Sequence, residues 1–292
     1  MRRALNSRWR RALARAPLAT AAASAWLSLS AAATLAAPLN VDYGLWLSGL
    51  RIGSGELSGS FEGSQYRLEL RGRLSGLGAL VGGDGSATAA GSVTSARPTP
   101  AAFTARVRTS AGERSLRMGV AGGNVVAVQV EPPLEDRRDR VPLSEVHKRA
   151  VIDPLSAMIA PVPARGGLTD PANCNRSVPV FDGGTRFDVV LSYGGTRHVE
   201  KAGYSGPVLV CNVRYVPIAG HRLHRPATKF MQENRDMSVW LAPVEGARVL
   251  VPFRISIRTM IGTSVVEATR WDYDGPQIVP TSGQRLRNSR PQ

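Results

Sequence analysis

Between residues 66 and 74 the chain alternates one position at a time. Tyr66, Leu68, Leu70 and Leu74 share one side, while Arg67, Glu69, Arg71 and Arg73 share the other. A period of two marks a strand with one face buried and one face in water. Residues 103–108 repeat it. So do residues 249–258, with Val249, Val251, Phe253, Ile255 and Ile257 inward and Arg254, Ser256 and Arg258 outward. Leu209, Cys211, Val213 and Tyr215 share a face opposite Asn212 and Arg214, which turns Cys211 toward the core. Weaker alternation predicts strands at 42–47, 50–61, 115–120, 125–130, 187–193, 237–241 and 264–271. Gly or Pro clusters separate nearly all of them. Roughly a dozen short strands joined by turns predict a mainly β fold: an antiparallel sandwich, a barrel or a strongly coiled sheet.

One stretch breaks the rhythm. Residues 142–150 do not alternate and predict a helical turn. Asp153-Pro154 then supplies an N-cap and a first-turn proline for a short helix through Leu155, Ala157, Met158 and Ile159, ended by Pro161 and Pro163. From there to Val178 the chain reads as a Gly/Pro-rich loop. No shift in composition marks a second domain, so residues 37–275 are expected to form one β-rich domain. Residues 276–292 read as a frayed, disordered tail.

Composition changes the picture at the N-terminus. Six arginines (Arg2, Arg3, Arg8, Arg10, Arg11 and Arg15) precede the first acidic residue, Asp42. An uncharged run follows and closes on Thr34-Leu35-Ala36. A basic head, an apolar middle and a small-residue exit predict a secretory signal cleaved after Ala36, hence export to a periplasm. The run is mostly Ala, Ser and Thr, which argues against a retained membrane anchor, so no stable membrane insertion is expected after cleavage. No Cys follows it to carry a lipid.

The whole chain holds 37 Lys+Arg against 22 Asp+Glu. Without the head, 31 basic residues remain against 22 acidic ones, a net charge of +9. The remaining arginines are spread along the chain and do not interleave with aromatics, so nucleic acid is not the expected partner. Anionic lipid or another envelope polymer suits the surplus better, and a solvated basic surface explains it as well.

Only two cysteines exist, Cys174 and Cys211. In an oxidising compartment such a pair most simply forms one disulfide. There is no Cys-X-X-Cys, and the four histidines match no common zinc spacing. His221 and His224 lie three apart, but arginines on both sides oppose a cation. Gly203-Tyr204-Ser205-Gly206-Pro207 resembles a nucleophile elbow yet lacks the second glycine and precedes a strand. Gly82-Gly83-Asp84-Gly85-Ser86 has no lysine for a phosphate and reads as a flexible turn. Asp182 and Asp188 offer a carboxylate pair, although aspartates at strand ends commonly serve turns. The expectation is therefore no catalytic residue, no metal and no cofactor.

Four stretches carry a resemblance: Val41-Asp42-Tyr43-Gly44-Leu45-Trp46-Leu47-Ser48-Gly49-Leu50-Arg51-Ile52-Gly53, Asp153-Pro154-Leu155-Ser156-Ala157, Val180-Phe181-Asp182-Gly183, and 211–221 with Pro217-Ile218-Ala219-Gly220. Together they resemble an exported domain-of-unknown-function family of Gram-negative envelope proteins, over most of residues 40–271. That family brings no catalytic residues. More distantly, the layout is similar to envelope-integrity proteins with a periplasmic β-spiral and one disulfide, for which Cys174 and Cys211 would be the matching pair. It is also similar to lipoprotein-localisation half-barrels that shelter acyl chains. The resemblance implies a strongly curved sheet, open barrel or β-spiral with a short helix near 144–160. Two functions follow as expectations. The first is a non-catalytic periplasmic protein that supports envelope integrity by binding a partner protein or envelope component. The alternative is a lipid or lipoprotein carrier with an apolar cavity inside the curved sheet. Period two does not separate them, because an inward apolar face looks the same whether packed or hollow.

Overall fold

The computed structural model describes residues 37–80, 82–94, 97–135 and 138–273. The expected signal at 1–36 and the expected tail at 276–292 lie outside the described residues.

Seven strands run up and down in succession: β1 (Ala37–Leu47), β2 (Leu50–Glu62), β3 (Gln65–Leu74), β4 (Asp84–Val93), β5 (Pro98–Thr109), β6 (Gly112–Ala121) and β7 (Asn124–Glu131). A long connection carries the two-residue strand β8 (Ala160–Pro161). The second set is β9 (Arg176–Phe181), β10 (Arg186–Lys201), β11 (Tyr204–Ala219), helix α1 (Pro226–Glu233), β12 (Met237–Val244), β13 (Val249–Thr259) and β14 (Gly262–Tyr273). All join one 14-stranded sheet in the order β7-β6-β5-β4-β3-β2-β1-β14-β13-β12-β11-β10-β9, with β8 beside β13. Every pairing between named strands is antiparallel, as the turn-rich sequence predicts.

The first and last strands meet in the middle. β1 pairs with β14 from Leu39 opposite Tyr273 to Leu47 opposite Ser264. The sheet therefore grows outward from that seam in two wings. It curls without closing, because its ends, β7 and β9, do not pair with each other.

Residues 151–162 lie between those ends. Val151 N donates to Gly123 O at the β6–β7 turn (2.9 Å), and Ile152 N donates to Pro179 O of β9 (2.9 Å). Val151, Ile152, Asp153, Leu155, Ser156, Ile159, Ala160 and Val162 are buried. The connection thus fills part of the interior that the curled sheet encloses. The tip of the β10–β11 hairpin folds over the seam from the other side, and Trp271 N donates to Ala202 O (2.8 Å). Gly203 permits that approach, since a Cβ there would stand 1.7 Å from Trp271 O. Tyr204, Phe253 and Trp271 then form a tilted ring cluster with centroids 5.4–6.2 Å apart.

The expected helix near 144–160 is two 3-10 turns, Glu145–Lys148 and Ser156–Met158. The N-cap of the second is Leu155, not Asp153 as expected; Asp153, two residues earlier, holds the entry to the turn, its Oδ1 accepting from Leu155 N (3.0 Å) and Ser156 N (2.8 Å). Proline at 161 and the demands of a buried turn leave no room for a longer helix. The α-helix among the described residues, α1, instead opens on Pro226. Cys174 and Cys211 are joined in a disulfide with Cα atoms 5.5 Å apart. It ties the 3-10 turn Pro171–Cys174 to the middle of β11. Both cysteines are fully buried beside Leu209, Leu241 and Leu250.

Candidate functional site

The concave face of the sheet is where the inward residues of the alternating pattern collect, and it is not filled. A cavity of about 460 Å³ lies between residues 152–161 and the inner faces of β9 to β13. Its walls include Val189, Val213, Val239, Leu241 and Ile257. A second cavity of about 490 Å³ lies against β1 to β5 and is lined by Leu45, Leu70, Leu74, Ala87, Ala105 and Val107 among others. Met158 and Ile255 line both. The two are neighbouring, mostly apolar compartments of the concave groove that share these walls, each in the usual size range of a small-molecule site, roughly 300–1,000 Å³.

Register explains the groove's floor. Leu74, Gly53, Leu45, Val266, Ile255, Val239 and Cys211 stand opposite one another in one row across seven strands. Leu45, Val266, Ile255 and Val239 in that row are only half-buried. Leu45, Val266 and Ile255 border the second cavity and Val239 and Ile255 the first, while Leu45, Val266 and Val239 also pack against the neighbouring core.

The next row is Gly85, Gly72, Gly55, Tyr43 and Ala268. Three consecutive strands thus present glycine at the same inward level. β4 continues with Ala87, Ala89 and Gly91 on that face. Missing side chains hollow the floor. At Gly72 an added Cβ would meet only Ser54 O, at 3.6 Å.

In the connection inside the sheet, Ser156 Oγ donates to Asp153 Oδ2 (2.5 Å), and the Tyr66 hydroxyl of β3 lies 2.6 Å from Ser156 Oγ. The serine proton is used on the carboxylate, so Tyr66 is the donor to serine. Burial pushes the Asp153 carboxyl above its ordinary value, against the hydrogen bonds that lower it. Burial also raises the Tyr66 phenol, so it stays protonated as a donor. Asp153 and Ser156 have no exposed surface. The trio is an anchor that holds Met158 over the groove.

Arg97 and Arg176 also line the first cavity. Arg176 Nε donates to Asn173 O (2.7 Å) and Nη2 to Pro161 O (3.1 Å). Burial disfavours its charge. Arg97 is exposed, with its guanidinium close over Gly123. Among the described residues neither arginine has a carboxylate partner.

A family model matches residues 39–269, from β1 to β14 and across the whole groove. The chain belongs to DUF3108, a family of proteins of unknown function. No curated protein matches it.

In this DUF3108 chain the residues singled out from sequence fall in separate places. Asp182 Oδ1 accepts from Gly184 N (3.0 Å) and Thr185 N (2.6 Å), which makes the β9–β10 turn. Asp188 pairs with Arg186 at 2.6 Å. Each carboxylate therefore has its own partner. Ser205 sits exposed near the start of β11, opposite Glu200. His221 follows β11 and its Nδ1 is buried without a partner; burial lowers its pKa. His224 lies in the turn before α1. Among the described residues no group of three or more His, Cys, Asp or Glu is placed to hold a metal ion. No described helix is long and apolar enough to cross a membrane.

The sequence reading missed the glycine row and both arginines. The run at 82–86, read as a flexible turn, is in part the start of β4 and supplies Gly85 to the floor. Gly72 carried a signal, since it falls on the inward side of the very alternation that defines β3.

Proposed function

We propose that this protein is a non-catalytic binding protein of the periplasm that holds an acyl chain in the groove of its curled sheet. One observation carries the reading: half-buried aliphatic residues and a row of three glycines line two adjacent, mostly apolar hollows on the concave face, with Met158 and Ile255 in the walls of both. An interior that served stability alone would be filled to the density of other protein cores. Each methylene moved from water into such a hollow contributes about 0.8 kcal/mol, so a chain supplies affinity without any polar contact. The buried disulfide and the basic, apolar, small-residue head of the sequence support export.

Native mass spectrometry of protein exported to a periplasm and purified without detergent tests it. Extra mass that fragments as acyl chain is expected. A bare mass of residues 37–292 less two hydrogens, with no uptake of added fatty acid, overturns the reading.

A specific observation also favours docking to a partner protein as a second reading. β7 is an edge strand with Val126 67% and Val128 36% exposed, and among the described residues no strand pairs with its outer side. Such an edge can accept an added strand. Capture of one envelope protein, lost on replacing Val126 with proline, would favour it.

A further inference from the structure

The groove is mostly apolar, and its first compartment is also lined by two guanidinium groups with no carboxylate partner among the described residues. Arg176 is half-buried and stands at the start of β9. Two of its five N–H donors are spent on Asn173 O and Pro161 O, which fixes the plane of the guanidinium. Three donors remain, and a planar carboxylate held through two parallel bonds needs only two of them. Arg97 approaches from the start of β5, on the opposite wing of the sheet. A charge taken partly out of water without a counter-ion is costly, and an anionic ligand removes that cost.

We propose that Arg97 and Arg176 form the headgroup site for a long-chain fatty acid, whose carboxylate they bind while its chain lies along the groove past Met158 and Ile255. This rests on the acyl-chain reading above and adds the charge and class of the ligand. The volume supports a single chain: each compartment is of small-molecule size, and both have Met158 and Ile255 in their walls.

The test is calorimetric titration of the delipidated full-length protein with three probes: oleate, uncharged oleyl alcohol and oleoyl lysophosphatidylglycerol. Oleate is expected to bind about tenfold or more tightly than the alcohol, a difference on the scale of one charge-assisted pair. Arg176→Gln and Arg97→Gln are each expected to remove most of that preference and to leave the affinity for the alcohol unchanged. Arg97 is exposed, so Arg97→Gln carries the test if loss of the Arg176 loop contacts impairs folding. Equal affinity for oleate and alcohol, or a preference that survives both substitutions, overturns the proposal while the acyl-chain reading stands. Tighter binding of the lysophospholipid than of oleate overturns the carboxylate assignment. Binding of none of the three overturns the acyl-chain reading, and the headgroup site with it.

Discussion

The Tyr66 hydroxyl reaches Ser156 Oγ at 2.6 Å across ninety residues of sequence, from β3 to the connection inside the sheet. With Asp153 it completes a buried polar chain in a surrounding that is otherwise aliphatic and aromatic. Removing one member leaves another without a partner, and that is where the cost arises. Ser156→Ala is expected to lower stability by about 1–3 kcal/mol. Tyr66→Phe should cost a similar amount. Urea unfolding of the two variants and of the double variant checks this. Additive losses would show that the three groups do not act together.

Asp153 gives the chain a pH signature with a definite sign. Its carboxyl has a raised pKa in the folded state, so the folded protein binds the proton more tightly than the unfolded chain does. That contribution is complete below the unfolded value, about pH 4, and is lost as pH rises through the folded value. Asp153→Asn does not titrate. The stability of the natural protein relative to this variant is therefore expected to fall as pH increases above about 4. Thermal melts of both across pH 3.5–7 measure it, and a rising difference contradicts it.

Gly72→Leu tests the hollow directly. The position has room for a Cβ, has an ordinary extended backbone, and points into the second compartment. Leucine there should fill the groove and weaken fatty-acid binding by at least roughly tenfold, while the melting temperature changes little. A filled groove with unchanged binding would mean that the ligand lies elsewhere.

How much of this the sequence disclosed depended on what each residue could signal. Strands β1, β2, β3, β5, β6, β7, β10, β11, β12, β13 and β14 are legible because large apolar residues recur along them at alternate positions, most clearly in β3 and β13, where charged residues take the positions between. β4 is not, because its inward face is Gly85, Ala87, Ala89 and Gly91, which carry no hydrophobic contrast. β9 was hidden by Pro179 and by the Pro-rich stretch before it. The same cause concealed the site. A hollow is made by side chains that are absent, and the signal that marks a core is strongest where side chains are large. The pairing of Cys174 with Cys211 is legible from the cysteine count together with the expected, oxidising compartment. Arg97 and Arg176 are not, since nothing in their local sequence sets them apart from the other arginines.

The disulfide closes a separation of 37 residues that includes β9, β10 and half of β11. A chain-entropy estimate gives it roughly 4 kcal/mol, through restriction of the unfolded chain. Replacing both cysteines with serine should lower the denaturation midpoint accordingly. Its walls lie next to the groove at Leu241, so fatty-acid affinity should change by no more than a few-fold. An unchanged midpoint would remove the stabilising role.

Glu267 of β14 serves two cations, Arg254 through a close ion pair and Lys201 at 3.1 Å. Arg254 in turn stacks on one side of Trp240, with Arg197 also at cation–π distance. Glu267→Gln is expected to cost about 1–2 kcal/mol, since Lys201 is partly screened by water. The loss should shrink with added salt, measured by melts at low and high ionic strength.

The seam between β1 and β14 has a consequence for how the chain can be cut. Leu39 stands opposite Tyr273, so the first and last strands lie side by side at the centre of the sheet. A short linker joining residue 273 to residue 37, with new termini opened at the Gly122-Gly123 turn, would reorder the sequence and leave every strand neighbour in place. The circular permutant would then begin at an edge strand and carry its former ends in the middle. The sheet is defined by which strands touch, and the position of the first residue is incidental to it.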